Sequence, residues 1–231
     1  MPTMYEIYQN YSFEYDELVA NEDYLNHIPE YLMNRIDFRG KTVLEFGTGT
    51  GRMTRMYAGL ADKVFCYDGS SHMLEKAAEN LAVFGGKAEF SLCDNLNIDS
   101  IALTADIVIQ GWSFGHTVSD NADRLEETVD KLVADCGDRL ASGGSILFFE
   151  SLGTNTEEAV APNEDLNKFF LLLEDKYDFK RTVLRTDYKF KSNGEAMRIM
   201  GFFFGEELGR NLKFIGEGII REFTGVWHLK K

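Results

Sequence analysis

Short apolar segments alternate with segments of helical spacing from residue 41 onward, and no other feature of the chain constrains its fold as strongly. The apolar segments are 41–46, 63–68, 87–94, 105–111 and 143–150. The helical segments are 51–61, 70–85 and 120–142. Because these strands do not alternate strictly between apolar and polar residues, both faces of their sheet are predicted to be covered by helices. The pattern predicts a doubly wound α/β fold around a mostly parallel sheet.

The last third of the chain is less regular. A helix is predicted over 162–177, strands over 180–190 and 218–231, and a helix-like segment over 192–214. No Pro-, Gly- or Ser-rich linker separates this part from the rest, so all 231 residues are predicted to form a single domain.

Charge limits the partners that this chain is expected to bind. The sequence has 24 basic and 38 acidic residues, which gives a formal net charge of −14. Such a charge repels phosphate backbones and anionic lipids, so neither nucleic acid nor a membrane surface is expected as a partner. The sequence leaves the oligomeric state open.

Cysteine usage and the N-terminus predict a cytoplasmic protein. Cys66, Cys93 and Cys136 are widely spaced and form no CxxC pair. This spacing is typical of reduced thiols rather than of a disulfide framework or a zinc site, and no metal is expected. Residues 1–17 lack the basic and apolar regions of a signal peptide. No apolar run approaches the roughly 18 residues of a membrane span.

The stretch "VLEFGTGTGRMT" at 43–54 predicts a ligand site. Its glycines are Gly47, Gly49 and Gly51. They follow the first strand, at the sheet edge where α/β folds bind ligands, and glycine allows a ligand to approach the backbone closely. A dinucleotide motif needs a third glycine where this chain has Arg52, and the carboxylate of Glu45 would repel a pyrophosphate. The stretch therefore favours a ligand that carries positive charge.

Four stretches in order resemble motifs of the class I S-adenosylmethionine-dependent methyltransferases. They are the stretch at 43–54, "VFCYDGSSHML" at 64–74, "FSLCDNLNI" at 90–98 and "ADIVIQGWSFGH" at 105–116. The resemblance covers roughly 41–150. It implies a Rossmann-like, seven-stranded sheet that ends in an antiparallel C-terminal strand. It also implies a division into an N-terminal helical cap at 1–40, a cofactor-binding core at 41–150 and a C-terminal part at 151–231.

The resemblance implies S-adenosylmethionine as cofactor and S-adenosylhomocysteine as product. Asp68 would hold the ribose hydroxyls and Asp94 the adenine amino group, although each could instead cap a local turn. Glu45 would face the ammonium group, or it is an ordinary strand-end acid. Arg52 would reach the carboxylate, or it is a solvated helix residue. The full set of expected cofactor contacts is Glu45, Gly47, Thr48, Gly49, Gly51, Arg52, Asp68, Gly69, Met73, Cys93, Asp94, Asn95, Gln110 and Gly111.

The loop predicted at 111–120 should face the transferred methyl group. His116 is its only histidine, and it is the candidate general base. Trp112 and Phe114 would line an acceptor pocket, or they pack in the core. This loop lacks the N/D-P-P-Y/F signature of methyltransferases that act on adenine or cytosine amino groups or on protein glutamine, so the resemblance implies a small-molecule acceptor.

Tyrosines are concentrated before the first strand. The first four are Tyr5, Tyr8, Tyr11 and Tyr15, whose spacing places them near one face of a helix. The segment is predicted to be either an amphipathic helix or a lid over the cofactor, in which Tyr11 and Tyr15 contact the substrate. The sheet itself is not expected to need this segment.

These expectations converge on an enzyme that transfers a methyl group from S-adenosylmethionine to an oxygen or nitrogen of a small molecule. Three alternatives stay open. The first is an aminopropyl transferase on the same scaffold. The second is a nicotinamide dehydrogenase, which the arginine in the glycine motif disfavours. The third is a non-catalytic cofactor-binding module, since fold alone does not establish function.

Overall fold

A seven-stranded sheet forms the centre of the protein, which is described over residues 2–231 by a computed structural model. The strands of this sheet are β1 (Thr42–Phe46), β2 (Lys63–Asp68), β3 (Ala88–Leu92), β4 (Ala105–Gly111), β5 (Leu140–Thr154), β6 (Lys180–Arg185) and β10 (Glu222–Lys230). Their order is β3-β2-β1-β4-β5-β10-β6. The first five pair in parallel, whereas β10 is antiparallel to both β5 and β6. The Rossmann-like sheet with an antiparallel C-terminal strand is therefore confirmed.

Helices precede, connect and cover these strands. They are α1 (Met4–Asn10), α2 (Ser12–Val19), α3 (His27–Arg35), α4 (Arg52–Tyr57), α5 (Ser71–Leu81), α6 (Phe114–Asp120), α7 (Leu125–Asp138), α8 (Glu164–Asp175), α9 (Asn193–Phe204) and α10 (Glu206–Arg210). Polar side chains cap some of these helices. The Oγ of Ser70 accepts from the amide of Met73 at the start of α5, as Asn163 does for α8. No helix within residues 2–231 is both long and apolar enough to cross a membrane.

Both faces of the sheet are buried. Successive residues of β1 point to opposite faces, so Leu44 and Phe46 belong to one apolar cluster and Val43 to the other. The first cluster includes Val129 and Leu132 of α7. This two-sided burial explains why the strands have continuous apolar runs.

The last third of the chain departs from the sequence prediction. The expected strand at 180–190 divides into β6 and β7 (Tyr188–Lys189), and the carboxylate of Asp187 in the break accepts hydrogen bonds from Arg185 and from the amide of Glu222. The expected helix over 192–214 ends at Gly205, whose φ of +106° is unfavourable for other residues. The remaining strands are β8 (Phe214–Gly216) and β9 (Ile219–Ile220), which complete a second sheet in the order β7-β9-β8.

The N-terminal 40 residues are not all dispensable for the core, which corrects one expectation. Leu32 of α3 and Phe38 after it are buried in the same cluster as Val43 of β1. The ring of Phe38 stacks on Tyr57 of α4, with 4.6 Å between centroids. Helix α3 is therefore part of the sheet's covering layer.

Candidate functional site

A cavity of about 200 Å³ lies at the carboxyl ends of β1, β2 and β4. Parallel strands end together at this edge, which is where α/β sheets bind ligands. Among the residues predicted from sequence, those that line the cavity are Tyr15, Gly47, Gly49, Asp68, Gly69, Met73, Asp94, Asn95, Gly111, Trp112 and His116. Lining residues that the prediction did not include are Met4, Tyr5, Tyr8, Gln9, Ser70, Ser113, Thr117 and Asp120.

The glycine-rich turn forms one wall of the cavity. Gly47 and Gly49 have φ values of +66° and +55°, which side chains other than glycine rarely adopt. A Cβ at Gly47 would overlap the side chain of Ser113, so the turn after β1 packs directly on the loop after β4. A Cβ at Gly49 would lie 3.5 Å from the hydroxyl of Tyr15. The bare backbone at these positions lets the turn, the loop and α2 meet around one small space.

Asp68 ends β2 and connects the glycine-rich turn to α5. Its Oδ2 accepts from the amide of Gly49 and its Oδ1 from the amide of Ser70, both at 2.8 Å. The cap of α5 is Ser70 itself, so Asp68 is not the helix cap considered above. Burial raises the pKa of Asp68, while the two amides oppose that effect. A desolvated carboxylate beside two glycines is well suited to accept hydrogen bonds from ligand hydroxyls.

The next strand along the sheet contributes Asp94 and Asn95. The Oδ1 of Asp94 accepts from the amide of Leu96 at 2.8 Å, so this carboxylate does cap its own turn. It also lines the cavity, and the two roles are compatible because its second oxygen stays available. The side-chain Nδ2 of Asn95 donates to Oγ1 of Thr117 at 3.0 Å, which joins the β3 edge to α6.

His116 lies on a helix where a loop was expected. Helix α6 begins immediately after β4 and directs His116, Thr117 and Asp120 at the cavity. The Nε2 of His116 is 3.2 Å from the hydroxyl of Tyr8. Desolvation lowers the pKa of His116, and the charge of Asp120 partly opposes this. The lowered pKa favours the neutral imidazole, which has a lone pair that can accept a proton.

Helix α1 covers the cavity. The hydroxyl of Tyr5 donates to the carboxylate of Asp120, and the Oγ of Ser70 donates to the carbonyl of Tyr8 at 2.8 Å. The tyrosine spacing predicted a common helical face, but the helical segment breaks at Tyr11 between α1 and α2, so the four tyrosines are divided between two helices and the break.

Glu45 does not reach the cavity, which corrects the expected contact with the cofactor's ammonium group. Strand alternation directs its side chain beneath α4, where its carboxylate accepts from the hydroxyls of Thr54, at 2.8 Å, and Tyr57. Glu45 is only 1% exposed, and burial raises its pKa to about 7.

Arg52 is neither a solvated helix residue nor part of the cavity lining. Its Nη1 donates to Oε2 of Glu22 at 2.7 Å, and its guanidinium carbon lies 4.6 Å from the centroid of the Trp112 ring. The hydroxyl of Tyr188 donates to the same Glu22 oxygen at 3.2 Å. Arg52 therefore packs against the ring of Trp112. Through Glu22 and Tyr188 it also joins α4 to the C-terminal part of the chain.

Other candidates also lie outside the cavity lining. Phe114 is fully buried against Phe46 and Phe148. The ring of Tyr11 packs 5.6 Å from that of Phe202 on α9. The remaining candidates without a place in the lining are Thr48, Gly51, Cys93 and Gln110, which contact other parts of the protein instead. No group of His, Cys, Asp and Glu within residues 2–231 is arranged to hold a metal ion.

Comparisons with known proteins agree with this geometry. A family model described as a methyltransferase domain matches residues 43–137, from β1 into α7. An uncharacterized methyltransferase of Anoxybacillus flavithermus is 26% identical over 197 residues, which are 82% of this chain and 88% of the relative.

Solved structures share the fold. A SAM-dependent methyltransferase from Aquifex aeolicus superposes with a TM-score of 0.52 at 15% identity. The superposition covers 87% of this chain and 88% of the Aquifex chain. A candidate RNA methyltransferase from Pyrococcus horikoshii superposes with a TM-score of 0.54 at 15% identity. The superposition covers 88% of this chain and 82% of the Pyrococcus chain. Sheet order, the position of the glycine-rich turn and the match over 43–137 agree. The chain is thus similar to methyltransferases: residues 43–137 match the methyltransferase-domain model, and the fold is shared with a SAM-dependent methyltransferase.

Proposed function

We propose that the cavity binds S-adenosylmethionine and that the enzyme transfers its methyl group to an oxygen or nitrogen of a small-molecule acceptor. One observation carries the first half of this proposal. The carboxylate of Asp68 lies at the end of β2, facing the cavity beside Gly49. A ribose offers two adjacent hydroxyls, and hydrogen bonds from hydroxyls to a carboxylate are charge-assisted and strong.

The other ends of the cofactor would meet different parts of the lining. Asp94 and Asn95 offer hydrogen-bonding groups to an adenine, and Met73 offers an apolar surface. The backbones of Gly47 and Gly111 leave room for the amino-acid tail. Glu45 and Arg52 are not part of this proposed set, since both are committed to partners outside the cavity.

Aromatic side chains surround the remaining space. Tyr8, Tyr15 and Trp112 line the cavity next to the glycine-rich turn. Aromatic faces attract cations, and a covered cavity excludes water from a displacement reaction. When bound, the cofactor supplies an electrophilic methyl group on a positively charged sulfur. The protein's contribution is to align the acceptor, exclude water and stabilise the positive charge on the sulfur.

His116 is the proposed general base for acceptors that lose a proton. Its neutral imidazole accepts the proton at Nε2, the atom that faces the hydroxyl of Tyr8. The aminopropyl transferase alternative has no specific support in the lining, so methyl transfer is the function we put forward.

A small-molecule acceptor is proposed on the grounds of charge. The net charge of −14 opposes binding of a polyanion, and the acidic side chains Asp94 and Asp120 are exposed at the cavity. These carboxylates favour neutral or cationic acceptors over anionic ones.

The direct experiment is a methyl-transfer screen. The enzyme is incubated with methyl-labelled S-adenosylmethionine and fractionated metabolites, and the labelled product is identified by mass spectrometry. We expect label in a small molecule, bonded to oxygen or nitrogen. Label found only in added RNA would replace the small-molecule proposal. Turnover of decarboxylated donor without methyl transfer would favour the aminopropyl alternative.

A further inference from the structure

We propose that a buried pair, Gln110 and Glu150, acts as a positioning pair for α6, an inference that rests on the function proposed above. The two residues lie near the ends of adjacent parallel strands, β4 and β5. Gln110 is fully buried and Glu150 is 4% exposed, and neither lines the cavity. Their role must therefore be exerted through the residues that they hold.

Three consecutive backbone amides of one short segment donate to this pair, and Nε2 of Gln110 also donates to the carbonyl of Phe149 at 3.4 Å. The Oε1 of Gln110 accepts from the amides of Ser113 at 3.1 Å and Phe114 at 3.3 Å. The Oε1 of Glu150 accepts from the amide of Gly115 at 2.8 Å. The Nε2 of Gln110 donates to the same Glu150 oxygen at 2.9 Å, which joins the two side chains.

The segment needs these partners because α6 has no conventional cap. The first amides of a helix have no acceptor within the helix, and Ser113, at the N-cap position, makes no capping bond with its side chain. Gln110 and Glu150 accept from three consecutive amides at this point. The desolvation that raises the pKa of Glu150 to about 7 is opposed by the bonds from Gly115 and Gln110.

The arrangement also holds a strained residue. Trp112 has a φ of +53°, a conformation that is uncommon for a residue other than glycine. Its amide donates to the carbonyl of Phe149 at 2.8 Å, and its ring lies 5.9 Å from that of Phe149. This turn lets the chain leave β4 and enter α6 within two residues. Strain of this kind persists only where surrounding contacts enforce it.

The consequence reaches the cavity. Helix α6 carries His116 and Thr117, and the turn before it carries Trp112, all of which line the cavity. A shift of this helix would move the proposed base and one cavity wall together. The pair is thus a set of positioning residues, since it touches neither the proposed cofactor nor the acceptor.

The test compares two substitutions of Glu150. In Glu150→Gln, the amide oxygen can accept from both Gly115 and Gln110, because both bonds go to one oxygen in the native protein. In Glu150→Leu, the side chain fills similar space but accepts nothing. Gln110→Met removes the other acceptor, and it carries the same test if Glu150→Leu does not fold. Leu152→Ala is the control, since Leu152 is a buried core residue of the same strand.

The first readout is fluorine NMR of protein labelled with 5-fluorotryptophan. The chain has two tryptophans, so the spectrum has two resonances, and Trp112→Phe assigns them. Trp227 is buried against Phe170 and serves as the internal reference. The second readout is the calorimetric affinity for S-adenosylhomocysteine.

We expect Glu150→Leu and Gln110→Met to shift or broaden the Trp112 resonance while that of Trp227 stays in place. Their affinity for S-adenosylhomocysteine should fall about tenfold or more, because a small displacement of a cavity wall is costly. Glu150→Gln should keep both properties. The proposal is overturned if Glu150→Leu leaves the Trp112 resonance unchanged or if Leu152→Ala moves it equally. Absence of ligand binding by the wild-type protein would refute the proposed function instead, and the resonances would still test the positioning.

Discussion

The hydroxyl of Tyr8 lies 3.2 Å from Nε2 of His116, so α1 and α6 meet across the cavity. The two rings are arranged edge to face, with 5.8 Å between their centroids. This contact joins the proposed base, His116, to the helix that covers it, although Tyr8 and His116 are 108 residues apart in the chain.

The first prediction separates the base from its neighbour. His116→Ala should lower turnover of the identified acceptor by roughly 10²–10⁴ while affinity for S-adenosylhomocysteine is retained, as expected for loss of a general base. Tyr8→Phe keeps the ring beside the imidazole and removes only the hydroxyl, so it is the matched control and should lose much less. Steady-state kinetics and calorimetry check both. An alanine variant with wild-type turnover would exclude His116 from catalysis.

The second prediction concerns α1 and α2 as a cover over the bound cofactor. Phe13, in α2, is 71% exposed and is a natural site for chymotrypsin. If the cover tightens on the ligand, S-adenosylhomocysteine should slow cleavage at Phe13, because cleavage requires local opening. Peptide mapping over time measures the rate, with NAD as the control ligand. Equal cleavage rates with and without S-adenosylhomocysteine would mean that these helices are not coupled to the site.

The third prediction is a pH dependence of stability caused by Glu45. Burial raises its pKa from 4.5 to about 7 in the folded protein. Between these values the folded state keeps a proton that the unfolded chain has released, so the free energy of unfolding falls as the pH rises. The difference corresponds to roughly 3 kcal/mol.

Glu45→Gln removes this titration while retaining an acceptor for Thr54 and Tyr57. Its stability relative to the wild type should therefore increase by roughly 3 kcal/mol from pH 4.5 to 7. Urea unfolding at several pH values measures this, with Glu79→Gln on the exposed face of α5 as the control. A constant difference across that range would show that Glu45 is ionised normally in the folded state.

The fourth prediction addresses RNA, since a candidate RNA methyltransferase shares the fold. With a net charge of −14, the protein should show no binding to duplex or single-stranded RNA at physiological salt. Fluorescence anisotropy with labelled RNA measures this. Salt-sensitive binding at low micromolar protein would contradict the small-molecule proposal and point to a local basic surface.

The parts of the site that follow strand ends could be predicted from sequence. Asp68 is the last residue of β2 and Asp94 follows β3, and parallel strands bring residues at their ends to one edge of the sheet. Glu45 could not be placed in the same way. It is one residue from the strand end, and that single step turns its side chain under α4.

Long-range contacts account for what the sequence did not reveal. The segment "FGHTVSD" has little helical signal of its own, and the acceptors of its first amides, Gln110 and Glu150, come from two different strands. Arg52 gave no sign of its pairing with Glu22, which lies 30 residues earlier in an irregular connection. Local propensity does not encode partners of this kind.

The most direct test of the central claim is calorimetric titration with S-adenosylhomocysteine of the wild type, Asp68→Ala and Glu45→Gln. We predict that the wild type binds this ligand and not NAD. Asp68→Ala should lose roughly 1.5–3 kcal/mol of binding free energy for each charged hydrogen bond removed. Glu45→Gln should bind as the wild type does, because Glu45 lies outside the cavity lining. Unchanged affinity in Asp68→Ala, or binding of NAD in place of S-adenosylhomocysteine, would contradict the account.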